Sequence, residues 1–258
     1  MKLSRTYPPI LSQIPTRARS LSFLIFPGLC LLCSRRSHRH LDLCKACDAE
    51  LPMLGFACRL CALPLNPLRT GDIDANHAMI CGHCQRKPPT FSTIFTPYRY
   101  QFPVDQMIQS FKYGSKFKHG RVLTTLLASE IQANNTGLSK PDVLVPVPLH
   151  WRRQLKRGFN QAEVIARTLG SDLGFPVNTR LIARARSTKA QEGLSRRERQ
   201  SNLRKAFIPT GDVQGLSIAV IDDVVTTSST AEAVARCLKQ AGAKQVQIWA
   251  IARTPLEK

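Results

Sequence analysis

Ile218-Ala-Val-Ile-Asp-Asp-Val-Val-Thr-Thr-Ser-Ser-Thr230 is the stretch on which the fold of this chain turns. Its first four residues are apolar, as a central strand covered on both faces requires. Asp222 and Asp223 follow at the carboxyl end, where open α/β sheets bind their ligands. Five consecutive hydroxyl residues (Thr226, Thr227, Ser228, Ser229 and Thr230) then open a helix. The first turn of a helix offers free N–H groups and a partial positive charge, and each hydroxyl adds a donor, so the segment makes a phosphate cradle. The adjoining carboxylates repel a bare phosphate and suit a ligand that also carries hydroxyls or a divalent cation. A sugar phosphate satisfies both halves, with its 5′-phosphate on the Thr/Ser turn and its ribose hydroxyls on the aspartates. A Ser/Thr-rich cap before an ordinary helix is the plainer reading, but a cap needs one such residue, not five and two carboxylates.

The sequence around this stretch alternates between strand and helix patterns. Val104 to Lys112 and His119 to Ala133 carry helical apolar spacing, with Leu123, Leu126, Leu127 and Ile131 on one face. Val143 to Val147 reads as a short buried strand. Asn160 caps a helix to Leu173, with Glu163 three residues on as in a capping box and Gly174 at its end. Leu216 to Ile221 is a strand, Thr230 to Ala241 a helix stopped by Gly242, and Val246 to Ala252 a last strand. That alternation predicts an α/β fold with a parallel sheet covered on both faces.

Ahead of residue 96 the texture differs. Eight of the nine cysteines form four C-x-x-C pairs: Cys30/Cys33, Cys44/Cys47, Cys58/Cys61 and Cys81/Cys84, with 10, 10 and 19 residues between them. A C-x-x-C turn aims two thiolates at one point, and two turns complete the tetrahedron that zinc prefers. Pairing neighbours gives two successive zinc ribbons, and an interleaved cross-brace fits the spacing as well. His38, His40, His77 and His83 lie nearby, but the cysteines alone fill two sites, and sites closed by four thiolates are structural. An iron–sulfur cluster or redox dithiols would not need four repeats. Cys237, inside the helix after the hydroxyl run, reads as an ordinary buried cysteine. The expected organisation is a basic leader over 1–27, a double ribbon over 28–95 and an α/β domain over 96–258.

The chain of 258 residues carries a formal net charge of +20 with 43% hydrophobic residues, so a packed core is expected and wholesale disorder is not. Residues 150–205 hold 14 basic and 4 acidic side chains. Such a field concentrates polyanions, although a basic solvated surface is the plainer reading. The cluster Arg152, Arg153, Lys156 and Arg157 offsets the charge of a diphosphate or a nucleic-acid backbone, with Trp151 and Phe159 as stacking rings for single-stranded nucleic acid. The longest apolar run, Leu21 to Leu32, is broken by Pro27 and Gly28 and is too short to cross a membrane. With paired cysteines read as metal ligands, a cytoplasmic location is expected.

The central stretch resembles the phosphoribosyl-pyrophosphate (PRPP) motif of type I phosphoribosyltransferases: hydrophobic strand, two acidic residues, three variable residues, Thr-Gly-x-Thr. The wider chain resembles the ComF/GntX family, GntX most closely, through the four C-x-x-C pairs, Phe111-Lys-Tyr-Gly114, Val145-Pro-Val-Pro-Leu149, Arg157-Gly-Phe-Asn-Gln161, Thr188-Lys-Ala-Gln191, Arg199-Gln-Ser-Asn202 and Ala206-Phe207. The resemblance implies a type I phosphoribosyltransferase-like domain behind a double zinc ribbon. It implies PRPP held by Asp222, Asp223, Thr226, Thr227, Ser228, Ser229 and Thr230 with Mg²⁺, and Pro148 in the loop that meets pyrophosphate. Arg157 and Lys189 would stabilise departing pyrophosphate, which makes Asp222, Asp223 and Arg157 the catalytic set of an active transferase. The stretch from Arg184 to Arg204 matches the family's mobile hood. DNA utilisation or uptake for competence is the implied role, with single-stranded DNA and an uptake or helicase protein as partners. A nucleotide-salvage transferase and a PRPP-sensing regulator are the alternatives. Ser228 stands where the family's motif has glycine.

Overall fold

A computed structural model of the chain describes residues 28–65, 79–114, 116–133, 138–149, 154–155, 157–184 and 206–255. The chain divides into two compact units, Met1–Glu50 and Leu51–Lys258, and each contains one cluster of four cysteines.

In the first unit Cys44 caps the helix α1 (Lys45–Ala49), its sulfur accepting from the Cys47 N–H. A short bridge between Leu29 and Arg36 folds the chain back on itself. Arg39 ties the turn down by an ion pair to Asp48 at 2.8 Å and a bond to the Leu43 carbonyl, and Leu43 is fully buried.

The second unit begins with a cysteine-bearing segment that includes α2 (Gly82–Arg86) and then forms β1 (Ile94–Phe95), β2 (Tyr98–Arg99), α3 (Val104–Gly114), α4 (Phe117–Ala133), β3 (Val143–Pro146), α5 (Gln161–Leu173), β4 (Ile182–Arg184), β5 (Phe207–Pro209), β6 (Ser217–Val225), α6 (Ser229–Gln240) and β7 (Gln245–Arg253). The main sheet has the order β1-β7-β6-β3, with β2 also on β7, and every pairing is parallel. Its central strands are near-continuous apolar runs because both faces are covered. Since side chains alternate along a strand, Ile218, Val220, Val246, Ile248 and Ala250 share one face and bury against Val234 and Leu238 of α6. On the other face Trp249 meets Phe175 edge-on at 5.9 Å, and α5 packs on β3, β6 and α4.

Cys58, Cys61, Cys81 and Cys84 belong to the same buried cluster as α6 and the sheet. Hydrogen bonds fasten this segment to the sheet edge: Ile94 N–H to the Leu60 carbonyl (2.8 Å), Thr93 Oγ1 to the Arg59 carbonyl (2.8 Å), and Leu54 N–H to the Pro97 carbonyl (2.7 Å). Thr90 adds two bonds to the Glu232 carboxylate on α6, at 2.9 and 2.6 Å.

Helix α5 starts on Asn160, whose Oδ1 accepts from Ala162 N–H, and ends on Gly174 at φ +74°. Both ends match the sequence expectation. Strand β6 runs four residues past the expected end at Ile221, because its pairing with β7 continues to Val225 opposite Arg253. The acidic pair therefore lies within the strand. The antiparallel ribbon of β4 and β5, which no sequence pattern announced, flanks the basic stretch Arg184 to Arg204. Ile182 and Phe207 are buried and hold it to the body. No described helix is long and apolar enough to cross a membrane.

Candidate functional site

A cavity of about 170 Å³ lies at the carboxyl ends of β3 and β6, and Asp222, Asp223, Lys112, Arg157, Pro148, Gln161 and Thr230 are among the residues lining it. Asp223 is buried and Asp222 half-buried. Lys112, at the end of α3, places Nζ 2.9 Å from Asp223 Oδ2, with both side chains largely shielded. Burial, and then the negative charge of Asp223, push the Asp222 carboxyl up to about 7, although the Asp223 N–H, Lys112 and Arg184 pull it the other way. The cavity thus presents one carboxylate already paired with a cation and one poised to lose its proton to an incoming cation or hydroxyl.

Arg157 reaches the cavity from the turn before α5. Its Nη2 donates to Tyr113 Oη at 3.1 Å, its guanidinium lies 4.9 Å from the Tyr113 ring centre, and its Nη1 donates to Gln161 Oε1 at 3.3 Å. Gln161 is 2% exposed, and its Nε2 has no hydrogen-bond partner among the described residues. A buried amide donor at a cavity wall is an unmet bond that a ligand oxygen can fill. Asn160 Nδ2 donates to the Val147 carbonyl at 3.0 Å, fixing the loop that carries Pro148 to α5, and Val147 N–H bonds the Ile221 carbonyl at 2.9 Å.

A model of the double zinc ribbon domain family matches residues 21–85. DNA utilization protein YhgH of Salmonella typhimurium is 35% identical over 234 residues, 90% of this chain and 99% of the relative. The chain belongs to the ComF/GntX family. Competence protein F of Haemophilus influenzae is 30% identical over 232 residues, 87% of this chain and 96% of that one. Among solved structures, a purine phosphoribosyltransferase from Pyrococcus horikoshii Ot3 overlaps 53% of this chain and 87% of its own at 19% identity, with a TM-score of 0.31, a fit too loose to inform the site. The fold is a parallel-sheet α/β domain with an N-terminal double zinc ribbon.

In this ComF/GntX member the hydroxyl run spans the end of β6 and the start of α6. Thr230 lines the cavity; Thr226 and Thr227 are exposed on the adjoining turn. Thr227 Oγ1 and Ser229 Oγ are 2.9 Å apart, and Glu232 N–H bonds the Ser228 carbonyl. Ser228 is the N-cap of α6 at φ +60°, and its side chain makes no capping bond. The family's glycine is thus replaced by serine in a backbone conformation that costs a side-chain-bearing residue about 1 kcal/mol. Ser228→Gly is expected to raise stability by up to about 1 kcal/mol, the relief being partly offset by the freer unfolded chain. Urea unfolding checks this, and a clear loss of stability would contradict it.

The cysteines form two sets, Cys30, Cys33, Cys44, Cys47 and Cys58, Cys61, Cys81, Cys84, each with all ligand sulfurs within 4.8 Å of one another. Neighbouring pairs therefore combine, and the cross-brace is not formed. Cys33 and Cys44 sulfurs are 3.8 Å apart and those of Cys61 and Cys81 3.7 Å. A tetrahedron with ~2.3 Å metal–sulfur bonds has edges of about 3.8 Å, so both sets fit a structural zinc ion. In the second set the hydrogen bond from Cys61 pulls Cys58 to about 4, while Cys61 itself is pushed up, so a cation is what lets all four ionise together. His38, His40 and His83 are in neither set. Cys237 is half-buried, its thiol pushed up by burial.

Trp151, Arg152, Arg153, Lys156, His77, Lys189 and the rest of 185–205 lie outside the described residues. Phe159 packs on Phe111 at 5.5 Å and Phe117 at 5.1 Å, so its ring is partly spent on packing. Lys112, Tyr113 and Gln161 went unread as site residues, although all three stand in family-like stretches. A lysine one residue after a buried Phe111 was the available signal for the first.

Proposed function

We propose that this protein binds a ribose 5-phosphate ligand, PRPP foremost, with Mg²⁺ in the cavity at the end of β6, and that it serves the handling of DNA taken up or used by the cell. The observation that carries the first half is the convergence of Asp222, Asp223, Thr230, Pro148 and Arg157 on one cavity where a strand hands over to a helix. The carboxylates suit ribose hydroxyls or a magnesium ion, and the turn before α6 suits the 5′-phosphate. Arg157 and the Gln161 amide line the same cavity, where they would meet pyrophosphate oxygens. Bound Mg²⁺ would screen the diphosphate charge beside the acidic pair.

The second half rests on the names of the relatives, a DNA utilization protein and a competence protein, and on the net charge of +20. Single-stranded DNA is the partner we favour, its backbone on Arg152, Arg153, Lys156 and Arg157. Affinity for an oligothymidylate should fall steeply between 50 and 200 mM salt, by about tenfold or more for a few phosphate contacts. Replacing the four cations by alanine should flatten that slope, as fluorescence anisotropy would read. Binding that is absent, or indifferent to salt, would sink this half alone.

A further inference from the structure

One guanidinium joins the second cysteine cluster to the hydroxyl turn. Arg253 ends β7 and is 2% exposed. Its Nε donates to the carbonyl of Cys61 at 3.1 Å. Its Nη1 donates to the carbonyls of Val225 (3.1 Å) and Thr254 (2.9 Å) and, most closely, to that of Thr226. Its Nη2 reaches Ser228 Oγ at 3.5 Å. The strand register delivers it there, because Arg253 pairs with Val225, the last residue of β6 before the turn.

A buried cation is costly without a counter-charge. Among the described residues the ion pairs are Arg39–Asp48, Lys112–Asp223, Arg167–Glu163 and Arg236–Glu232, and Arg253 is in none of them. The Cys61 carbonyl that takes its Nε belongs to a residue of the second cysteine cluster, so the guanidinium sits directly against that cluster. A divalent ion held by four thiolates leaves that cluster with a net negative charge of two. Loss of the ion releases the turn that carries Cys61, and with it the carbonyl that anchors the guanidinium.

We propose that Arg253 is a positioning residue that makes the conformation of the Thr226–Ser228 turn depend on a metal-loaded second cluster. The part of this that concerns phosphate affinity rests on the ribose-phosphate reading above; the part that concerns the turn does not. An arginine that merely cements the core would, when removed, loosen the whole unit alike. Arg253 acts locally, since all but one of its acceptors lie on the turn, at its border or on the residue next to it.

Hydrogen–deuterium exchange on the zinc-loaded full chain separates the two. In Arg253→Met and Arg253→Lys, peptides covering 225–231 should exchange about tenfold or more faster than in the wild type, while those from β3 and α5 keep their rates. Lysine should not rescue, because one ammonium cannot address Cys61 and Thr226 in the way a planar fork does. Both variants should still bind two zinc ions. Unchanged exchange over 225–231, or the same acceleration everywhere, overturns the proposal. If either variant fails to fold, the cobalt-substituted wild type decides: PRPP should shift its thiolate-to-cobalt absorption, and a spectrum unmoved at concentrations where calorimetry registers PRPP overturns the proposal. Absence of any calorimetric binding would fault the ribose-phosphate reading and leave the exchange result to stand by itself.

Discussion

Replacing Cys58 and Cys61 with serine is expected to abolish the cooperative unfolding transition of the sheet-bearing unit and to halve the zinc bound per chain. The four sulfurs of that cluster are buried within the same apolar core as α6, β6 and β7. The segment's hydrogen bonds to Ile94, Thr93 and the Pro97 carbonyl depend on the shape the cluster gives it. A structural zinc ion contributes on the order of 10 kcal/mol of apparent binding free energy, comparable with the whole stability of a domain at roughly 5–15 kcal/mol. The same change at Cys30 and Cys33 should also halve the zinc. It should leave the main transition in place, because those cysteines belong to the Met1–Glu50 unit. Circular-dichroism melting with colorimetric zinc release reads both. An undisturbed main transition in the Cys58/Cys61 variant would show that its core forms without the cluster.

Much of this architecture could be read from residue pattern. Ile218–Ile221 and Val246–Ala252 are apolar runs that only a doubly covered strand explains, and Asn160 and Gly174 mark both ends of α5. The sites at the C-x-x-C pairs were legible because metal coordination fixes local spacing. What was not legible depends on long-range register. Asp222 and Asp223 look like residues beyond a strand end until β7 is seen to run alongside as far as Arg253. Lys112 and Asp223 are far apart in the chain, and their pairing depends on where packing against α4 carries the end of α3. Arg253 reads as a terminal basic residue, and only the fold shows it buried between two sites. The ribbon of β4 and β5 escaped notice because its strands are three residues each.

The acidic pair carries the central claim, and its chemistry sets a pH dependence. The Asp222 carboxyl rises from an ordinary 3.8 to about 7 in the folded chain. The folded state therefore holds that proton more tightly than the unfolded state, and stability from this group is full below about 4 and lost as pH rises through about 7. Asp222→Asn should accordingly stabilise the ligand-free protein at pH 8 and do so far less at pH 5. Binding runs the other way. A ribose hydroxyl or magnesium ion needs the carboxylate, so PRPP affinity should be higher at pH 8 than at pH 6. Asp223→Asn removes the partner of a shielded Lys112 and should cost both stability and affinity. The most direct test is calorimetric titration of PRPP with Mg²⁺ at pH 8 into the wild type and into the Asp222→Asn, Asp223→Asn double variant, with folding checked by melting. Loss of two charged contacts should weaken binding about a hundredfold or more. A folded double variant that binds PRPP as tightly as the wild type would contradict the assignment of the ligand to this strand end.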